Sequence, residues 1–245
     1  MGIKFESRGD ASALIPRALA QPPFASLGWT FPGASSSTPL VSIREKRTGT
    51  QFAGEFCYRS GQSECPRLTG AGTRTKKVAG IKSLDIYALA FYVDEPAARS
   101  HLHHRYTNKT AEQIAKDPQL FAELSKATSI EKSLVLVITS GLVKRKNFLE
   151  ALEERLEPPM TKANENAALQ AFKQQFDNVT FRKGLKITFT FTGGKLVTKA
   201  DGKELQTLSN KTLAEVLLDI YTGGNPVSPA AKKAFATGLA RMVLS

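Results

Sequence analysis

The chain has 245 residues, of which 41% are hydrophobic and 8% aromatic, so wholesale disorder is excluded and a sizeable core can form. No uninterrupted apolar run approaches the ~20 residues that a membrane-spanning helix needs, so we expect a soluble protein without stable membrane insertion. Lys and Arg outnumber Asp and Glu by 34 to 22, and the net charge of +12 could serve nucleic acids, anionic ligands or solubility alone.

Residues 1–40 are rich in proline and contain no periodic segment, and we interpret them as an irregular N-terminal extension. A secretory signal is not predicted, because no basic start is followed by an apolar core of about 7–15 residues. A remnant of an organelle transit peptide is an open alternative, although Glu6 and Asp10 count against it.

From residue 41 the hydrophobic pattern predicts strands and helices of one α+β domain, 41–245, with an antiparallel sheet half covered by helices. Strands are predicted over 51–58, 67–79, 82–93, 133–139 and 185–192, the last with a short partner around Leu196. Helices are predicted over 110–126 with a break near Pro118, over 147–156 with a stop at Pro158-Pro159, over 164–176, after Asn210, and from Ser228-Pro229 onward.

Common catalytic and metal-binding signatures are missing, so we expect no metal, no cofactor and no catalytic residue of those classes. His101, His103 and His104 stand together, but nothing indicates further ligands, and a solvated loop is the favoured interpretation. Cys57 and Cys65 could pair across a hairpin, yet free thiols are the usual state inside cells and are preferred here.

The segment 70–92 is the most informative part of the sequence about a possible ligand-binding site. A two-residue turn at Gly80-Ile81 would fold it into a hairpin, with Gly at the position that needs a positive φ. Facing residues would share one side of the sheet, because side chains alternate along each strand. The predicted pairs are Arg74–Tyr87, Gly72–Leu89, Gly70–Phe91 and an ion pair, Lys76–Asp85.

These pairs suggest a binding site for an anionic head with an apolar tail. An Arg74 guanidinium beside the Tyr87 hydroxyl, about 5 Å apart at Cβ, would offer a fork of donors to a carboxylate. Gly72 lacks a side chain, so space is expected next to Leu89 and Phe91. On these residues alone, an ion-paired surface Arg74 with glycines at bulges remains the alternative.

The same segment resembles the start of the chalcone isomerase-like family, through the Gly-rich stretch ending in Arg74 and the sequence of residues 86–92. Later motifs fit the family in the same order, over residues 132–134, 148–152, 183–189, 217–221 and 226–232. The resemblance covers residues 40–245 and is strongest to the plant plastid fatty-acid-binding branch. It implies an open-faced sandwich in which a large antiparallel sheet is covered on one side by helices.

The resemblance also implies a function: non-catalytic binding of long-chain fatty acids, with Arg74 and Tyr87 holding the carboxylate and Gly72, Leu89 and Phe91 nearby. Of the polar residues of the enzymes, the arginine is matched and most of the others are lost. Their late Ser or Thr falls near Ala214, with Thr212 as an open alternative. Tyr87 stands where they have threonine, and Lys144 and Ala151 occupy the slots of their Tyr and Asn. A monomer in the plastid stroma, active in fatty-acid metabolism, is expected, with a cytoplasmic location as the alternative.

Two other functions remain open, a divergent chalcone isomerase and a non-catalytic helper of the flavonoid pathway. A nucleic-acid partner is not expected, because the positive residues are spread along the whole chain and no interleaved aromatic and basic motif is present.

Overall fold

Within the residues that the structure describes, 42–78 and 81–245, six antiparallel strands form the main sheet and lie side by side in chain order. The structure is a computed structural model. Two short strands, β1 (Ile43–Arg44) and β2 (Gln51–Phe52), precede the main sheet and pair with each other. The strands of the main sheet are β3 (Arg67–Val78), β4 (Ile81–Val93), β5 (Lys132–Ile138), β6 (Lys186–Thr192), β7 (Lys195–Ala200) and β8 (Lys203–Leu208).

Helices fill the connections between these strands and the end of the chain. In the described part they are α1 (Glu95–Tyr106), α2 (Ala111–Lys116), α3 (Gln119–Lys126), α4 (Arg145–Lys162), α5 (Asn166–Gln174), α6 (Lys211–Thr222) and α7 (Pro229–Leu244). The predicted α+β class with a large antiparallel sheet is therefore confirmed.

The main core lies between the helices and one face of the sheet. Leu89 and Phe91 on β4 point into it and are almost fully buried, in keeping with the alternation of side chains along a strand. Strand β5 is buried on both faces, as its continuous apolar run predicts. Its second face is covered because Phe52 of β2 packs on the other side of the sheet against Val135 and its neighbours.

Two helix predictions need correction. Helix α4 does not stop at Pro158-Pro159 but continues to Lys162, because Met160, beyond both prolines, is fully buried and holds the last turn on the core. The three histidines lie in a helix, α1, and not in a loop. Asp94 caps α1 by accepting from the amide of Ala97 at 3.0 Å, which is a signal that the sequence contains.

Three of the four predicted pairs of the β3–β4 hairpin are confirmed: Arg74–Tyr87, Gly72–Leu89 and Gly70–Phe91. The Lys76–Asp85 pair is wrong, because a register shift after Arg74 places Thr75 opposite Asp85. The carboxylate of Asp85 instead accepts from Arg47 at 2.9 Å. Ile81 belongs to β4 and pairs with Val78, so it is not a turn residue, and Gly80 lies outside the described residues.

The segment before β3 also differs from its prediction. Only Gln51–Phe52 of the predicted strand 51–58 is a strand, and Cys57 and Cys65 form a disulfide with their Cα atoms 4.8 Å apart, so the preference for free thiols was wrong. The disulfide closes a loop on the outer face of the sheet, where the Lys199 ammonium donates to the carbonyl of Tyr58. Strand β8 had no predicted counterpart.

The described residues belong to one compact unit of the chain. A single domain over 41–245 stays a prediction, and the irregular extension predicted for 1–40 lies outside the described residues. In the described part, no helix combines the length and the apolar character needed to cross a membrane.

Candidate functional site

Helix α7 is fixed beside the strand that carries Arg74. Ser228 caps the helix by accepting from the amide of Ala231 at 3.3 Å, and Pro229 occupies its first turn. The Ser228 hydroxyl also donates to the carbonyl of Thr73 at 2.8 Å. Because both contacts are buried, the beginning of α7 has a defined position next to Arg74 on β3.

Two glycines of β3 allow this close approach. A Cβ on Gly72 would lie 2.6 Å from the Cβ of Ala231, and one on Gly70 would lie 2.7 Å from the backbone of Ala234. Helix α7 therefore fills the space that the glycines leave. The expectation of open space beside Leu89 and Phe91 is wrong, because helix backbone already occupies it.

Leu89 and Phe91 lie in the packed core behind the glycines. Leu89 is 1% exposed, and the Phe91 ring packs between Phe121 and Phe235 with centroid distances of 6.3 and 5.5 Å. Neither side chain lines the cleft described below. Of the five residues predicted for the site, Arg74 and Tyr87 are brought together at a cleft, whereas Gly72, Leu89 and Phe91 belong to the interior.

Arg74 and Tyr87 form a direct pair across the hairpin. Nη1 of Arg74 donates to the Tyr87 hydroxyl at 3.2 Å, and its Cζ lies 5.7 Å from the centroid of the Tyr87 ring. Tyr87 is fully buried and Arg74 is half-buried. No carboxylate of a described residue forms an ion pair with Arg74. A half-buried cation without a counterion favours the binding of an anion.

The charge on Arg74 is secure. Burial alone would lower the pKa of its guanidinium, but the phenols of Tyr87 and Tyr221 outweigh this, and the net direction is upward. Arg74 is therefore cationic at every physiological pH, with donor groups left over for a planar anion.

Tyr221 is a buried neighbour of the Arg74–Tyr87 pair that does not line the cleft, and sequence reasoning placed it only in the apolar face of a helix. It lies on α6 with 1% of its surface exposed, and its hydroxyl has no hydrogen-bond partner among the described residues. Burial, followed by the neighbouring Tyr87 phenol, raises the pKa of Tyr221 well above its usual value. The two phenols are neighbours, yet no hydrogen bond of normal geometry joins them. A phenol within an otherwise apolar face was the signal that could have identified it.

A cleft of about 400 Å³ opens over the Arg74–Tyr87 pair, within the range usual for small-molecule sites. One side is cationic, with Lys76 and Lys77 next to Arg74. The apolar side is formed by Leu84, Ile86, Leu142, Val143 and Phe148. The Phe148 ring meets Tyr87 edge-on, with the ring centroids 6.2 Å apart. A cationic end and an apolar wall together fit an anionic amphiphile.

A larger cleft of about 670 Å³ lies on the outer face of the sheet beneath the disulfide loop. Its lining is mixed and includes Arg59, Lys186, Thr188, Lys199 and Asp201. This lining suits an apolar tail less well than the wall beside Arg74. No group of three or more His, Cys, Asp or Glu side chains in the described part of the chain could hold a metal ion.

Comparisons with known proteins identify the family and the fold of the chain. The family profile described as Chalcone-flavanone isomerase matches residues 59–242. Fatty-acid-binding protein 2 of Arabidopsis thaliana is 28% identical over 194 residues, which cover 77% of this chain but only 48% of that protein, about half of its length. Fatty-acid-binding protein 1 of the same plant is 24% identical over 229 residues, covering 88% of this chain and 80% of that protein.

A solved structure is also similar. The crystal structure of an Arabidopsis thaliana fatty-acid-binding protein superposes with a TM-score of 0.73 at 25% identity, covering 84% of this chain and all of that one. The likeness includes the antiparallel sheet and the helices that pack on it.

Proposed function

The chain belongs to the chalcone-flavanone isomerase family, and we propose that within it this protein is a non-catalytic carrier of long-chain fatty acids. The similar proteins named as fatty-acid-binding proteins support this proposal. The observation that carries it is the Arg74–Tyr87 pair, a half-buried cation without an acidic partner in the described structure, at the end of an apolar cleft.

In this proposal the fatty-acid carboxylate accepts hydrogen bonds from Arg74 and Tyr87, and the tail begins along Phe148 and Leu142. Each buried methylene contributes about 0.8 kcal/mol. A dozen methylenes exceed the usual cost of association, so micromolar or better affinity is expected. Leu89 and Phe91 would contact a longer tail only after core side chains rearrange, and Gly72 acts by admitting α7.

The absence of catalysis is also a proposal. Cyclisation of a chalcone needs groups that stabilise developing charge on the substrate. At the slots of the enzymes' Tyr and Asn this chain has Lys144, at the beginning of α4, and Ala151, which has no polar group. The Arg74–Tyr87 pair can hold an anion, but this chain offers little beside it to activate a nucleophile.

Titration with fatty acids of increasing length tests the proposal, read out by calorimetry. Removing charge-assisted hydrogen bonds in Arg74→Ala should weaken laurate or palmitate binding about tenfold or more. Arg182→Ala is the matched control, since Arg182 is exposed, does not line the cleft and pairs with Asp201. Unchanged affinity in Arg74→Ala would overturn the assignment of the head group.

A divergent chalcone isomerase is the second candidate, favoured by the family profile that the chain matches. Its test is the cyclisation of a chalcone followed by absorbance, where a rate above the spontaneous one would establish catalysis. Preferential binding of a flavonoid over a fatty acid would instead favour a helper of the flavonoid pathway.

We further propose that the protein acts as a monomer in fatty-acid metabolism of the plastid stroma, on the strength of its resemblance to the plastid branch of the family. Light scattering of the purified protein tests the monomer. A fluorescent fusion tests the location, and a cytoplasmic signal would contradict it.

A further inference from the structure

We infer that the rim of the cleft, formed by Leu142, Lys76, Lys77, Lys144 and Lys146, is a docking surface for anionic lipid membranes. The inference rests on the proposed function and extends it, because it states where a fatty acid enters and leaves. Docking is peripheral: the rim touches the head groups, and no helix of the described residues is suited to cross the bilayer.

Leu142 is the first observation. It lies in the connection between β5 and α4, and 64% of its surface is exposed. Among the described residues only Leu244 is also a markedly exposed large apolar side chain, at 39%. Leu142 lines the cleft over Arg74, whereas Leu244 lies at the end of α7. An exposed leucine at the entrance of an apolar cleft can be buried by entering a lipid surface.

The charges around Leu142 are the second observation. Lys76 and Lys77 line the same cleft and are exposed. Lys144 and Lys146 follow Leu142 at the beginning of α4 and are exposed as well. Among the described residues, one of these four lysines has an acidic partner: the carboxylate of Glu150 lies 3.9 Å from Lys146. The rim therefore carries a clear excess of positive charge.

Cationic side chains around one apolar side chain match the chemistry of an anionic membrane. Each lysine near such a surface contributes about 1 kcal/mol of attraction, and Leu142 would add its own burial. Docking in this orientation turns the cleft toward the lipid, so a fatty acid could pass between membrane and cleft with little exposure of its tail to water. The carboxylate would then move toward Arg74, the innermost cation of the cleft.

Flotation with vesicles tests the inference, using phosphatidylcholine alone and phosphatidylcholine mixed with phosphatidylglycerol. The wild type should bind only the anionic vesicles, and less at high salt, which screens exposed charges. Lys144→Glu combined with Lys146→Glu should weaken this binding about tenfold or more. Both glutamates would stand at the N-terminus of α4, where negative charge favours the helix, so folding should be retained.

Lys195→Glu combined with Lys203→Glu is the matched control. It makes the same change of charge at exposed positions of β7 and β8, at the opposite edge of the sheet from β3. Vesicle binding should stay at the wild-type level in this control. Equal losses in the two double variants, or equal binding to neutral and anionic vesicles, would overturn the inference.

Transfer measurements separate this inference from the proposed function. Lys146 does not line the cleft, so Lys146→Glu alone should bind fatty acids in solution with unchanged affinity. Its transfer of a fluorescent fatty acid to vesicles should be slower, and in the wild type the rate should rise with vesicle concentration. A transfer rate that does not depend on vesicle concentration would overturn docking. Failure to bind any fatty acid would overturn the proposed function, and docking would then be judged by flotation alone.

Leu142→Ser provides a second readout, with Leu244→Ser as its control. Only the first should reduce binding to anionic vesicles. Fatty-acid affinity is measured separately for Leu142→Ser, since this side chain also lines the cleft. Identical vesicle binding by both leucine variants would contradict a role for Leu142.

Discussion

Gly72 and Ala231 touch in a way that leaves no room for a side chain: a Cβ on Gly72 would lie 2.6 Å from the Cβ of Ala231. The contact lies one residue from Thr73, whose carbonyl accepts from the Ser228 hydroxyl. Helix α7 thus approaches β3 at backbone distance just where the strand presents Arg74. The position of Arg74, the residue proposed to hold the head group, therefore depends on Gly72, which does not line the cleft.

Gly72→Ala should therefore lower the free energy of unfolding by about 1–3 kcal/mol, since overpacked side chains force the backbone to shift. Denaturant unfolding followed by circular dichroism measures the change. Gly224→Ala is the control, because a Cβ there has no neighbour within 4 Å. A stability of Gly72→Ala equal to that of the wild type would mean that α7 does not pack on this glycine.

Tyr221→Phe should separate binding from stability. Its buried hydroxyl lacks a partner among the described residues, so removing it should leave stability unchanged or slightly higher. Fatty-acid affinity should fall by about three- to tenfold if the hydroxyl donates to the carboxylate beside Tyr87. Tyr106→Phe is a close control: that hydroxyl is also buried without a hydrogen-bond partner in the described part of the chain, but it lies on α1, away from the cleft. Equal affinities of the two variants would show that the Tyr221 hydroxyl does not contact the head group.

Lys132 predicts an unusual dependence of stability on pH. Its ammonium donates to the carbonyls of Leu124 and Ala127 at the end of α3, and burial lowers its pKa to about 8. An unfolded lysine has a pKa of about 10.4, so above pH 8 the unfolded chain binds more protons than the folded one. Stability from this group should rise with pH from about 8 to 10, by at most about 1.4 kcal/mol per unit.

In Lys132→Met the free energy of unfolding should no longer rise over this pH range. In Lys126→Met, which changes an exposed position of α3, the rise should remain. Denaturant unfolding below about pH 10 is the measurement, because at higher pH the buried tyrosines contribute with the opposite sign. The pKa of Tyr221, for example, is raised in the folded protein. Its contribution to the free energy of unfolding is therefore lost as the pH rises past the pKa of the unfolded phenol. Parallel pH profiles of the two variants would contradict the prediction.

The disulfide should contribute to stability but not to fatty-acid binding. Cys57 and Cys65 are separated by 8 positions, and closing so short a loop stabilises by up to about 2.5 kcal/mol in the chain-entropy account. Cys57→Ser combined with Cys65→Ser should lower the melting temperature accordingly. Fatty-acid affinity should stay the same, because the loop covers the face of the sheet opposite to the core. A change of affinity would show coupling between the two faces.

Local patterns predicted much of the fold. Alternation located β3, β4 and β6, and the Ser228-Pro229 pair located the beginning of α7, because these signals depend on a few adjacent residues. They failed where distant contacts decide the outcome. Met160 holds α4 together past two prolines only because it reaches the core, and nothing local to the sequence shows that contact.

For the candidate site, too, the sequence predicted the neighbours within one hairpin but not the contacts with distant helices. Facing positions in one hairpin identified Arg74 and Tyr87, since strand pairing relates them directly. The role of Gly72 was misjudged because α7 lies far away in sequence, and its arrival turns apparent space into a packing contact. Tyr221 comes from α6 and joins the pair only through tertiary structure.

The hydrogen bond between Ser228 and Thr73 spans 155 positions of the chain, and this has a consequence for synthesis. Translation delivers β3 before α7, so Arg74 leaves the ribosome before the helix that packs on its strand. Until α7 docks, the face of β3 that carries Gly70 and Gly72 is uncovered, together with Phe91 on the neighbouring strand. Apolar surface of the sheet is therefore exposed in the newly made protein until α7 has docked, and contact of this surface with other chains favours aggregation.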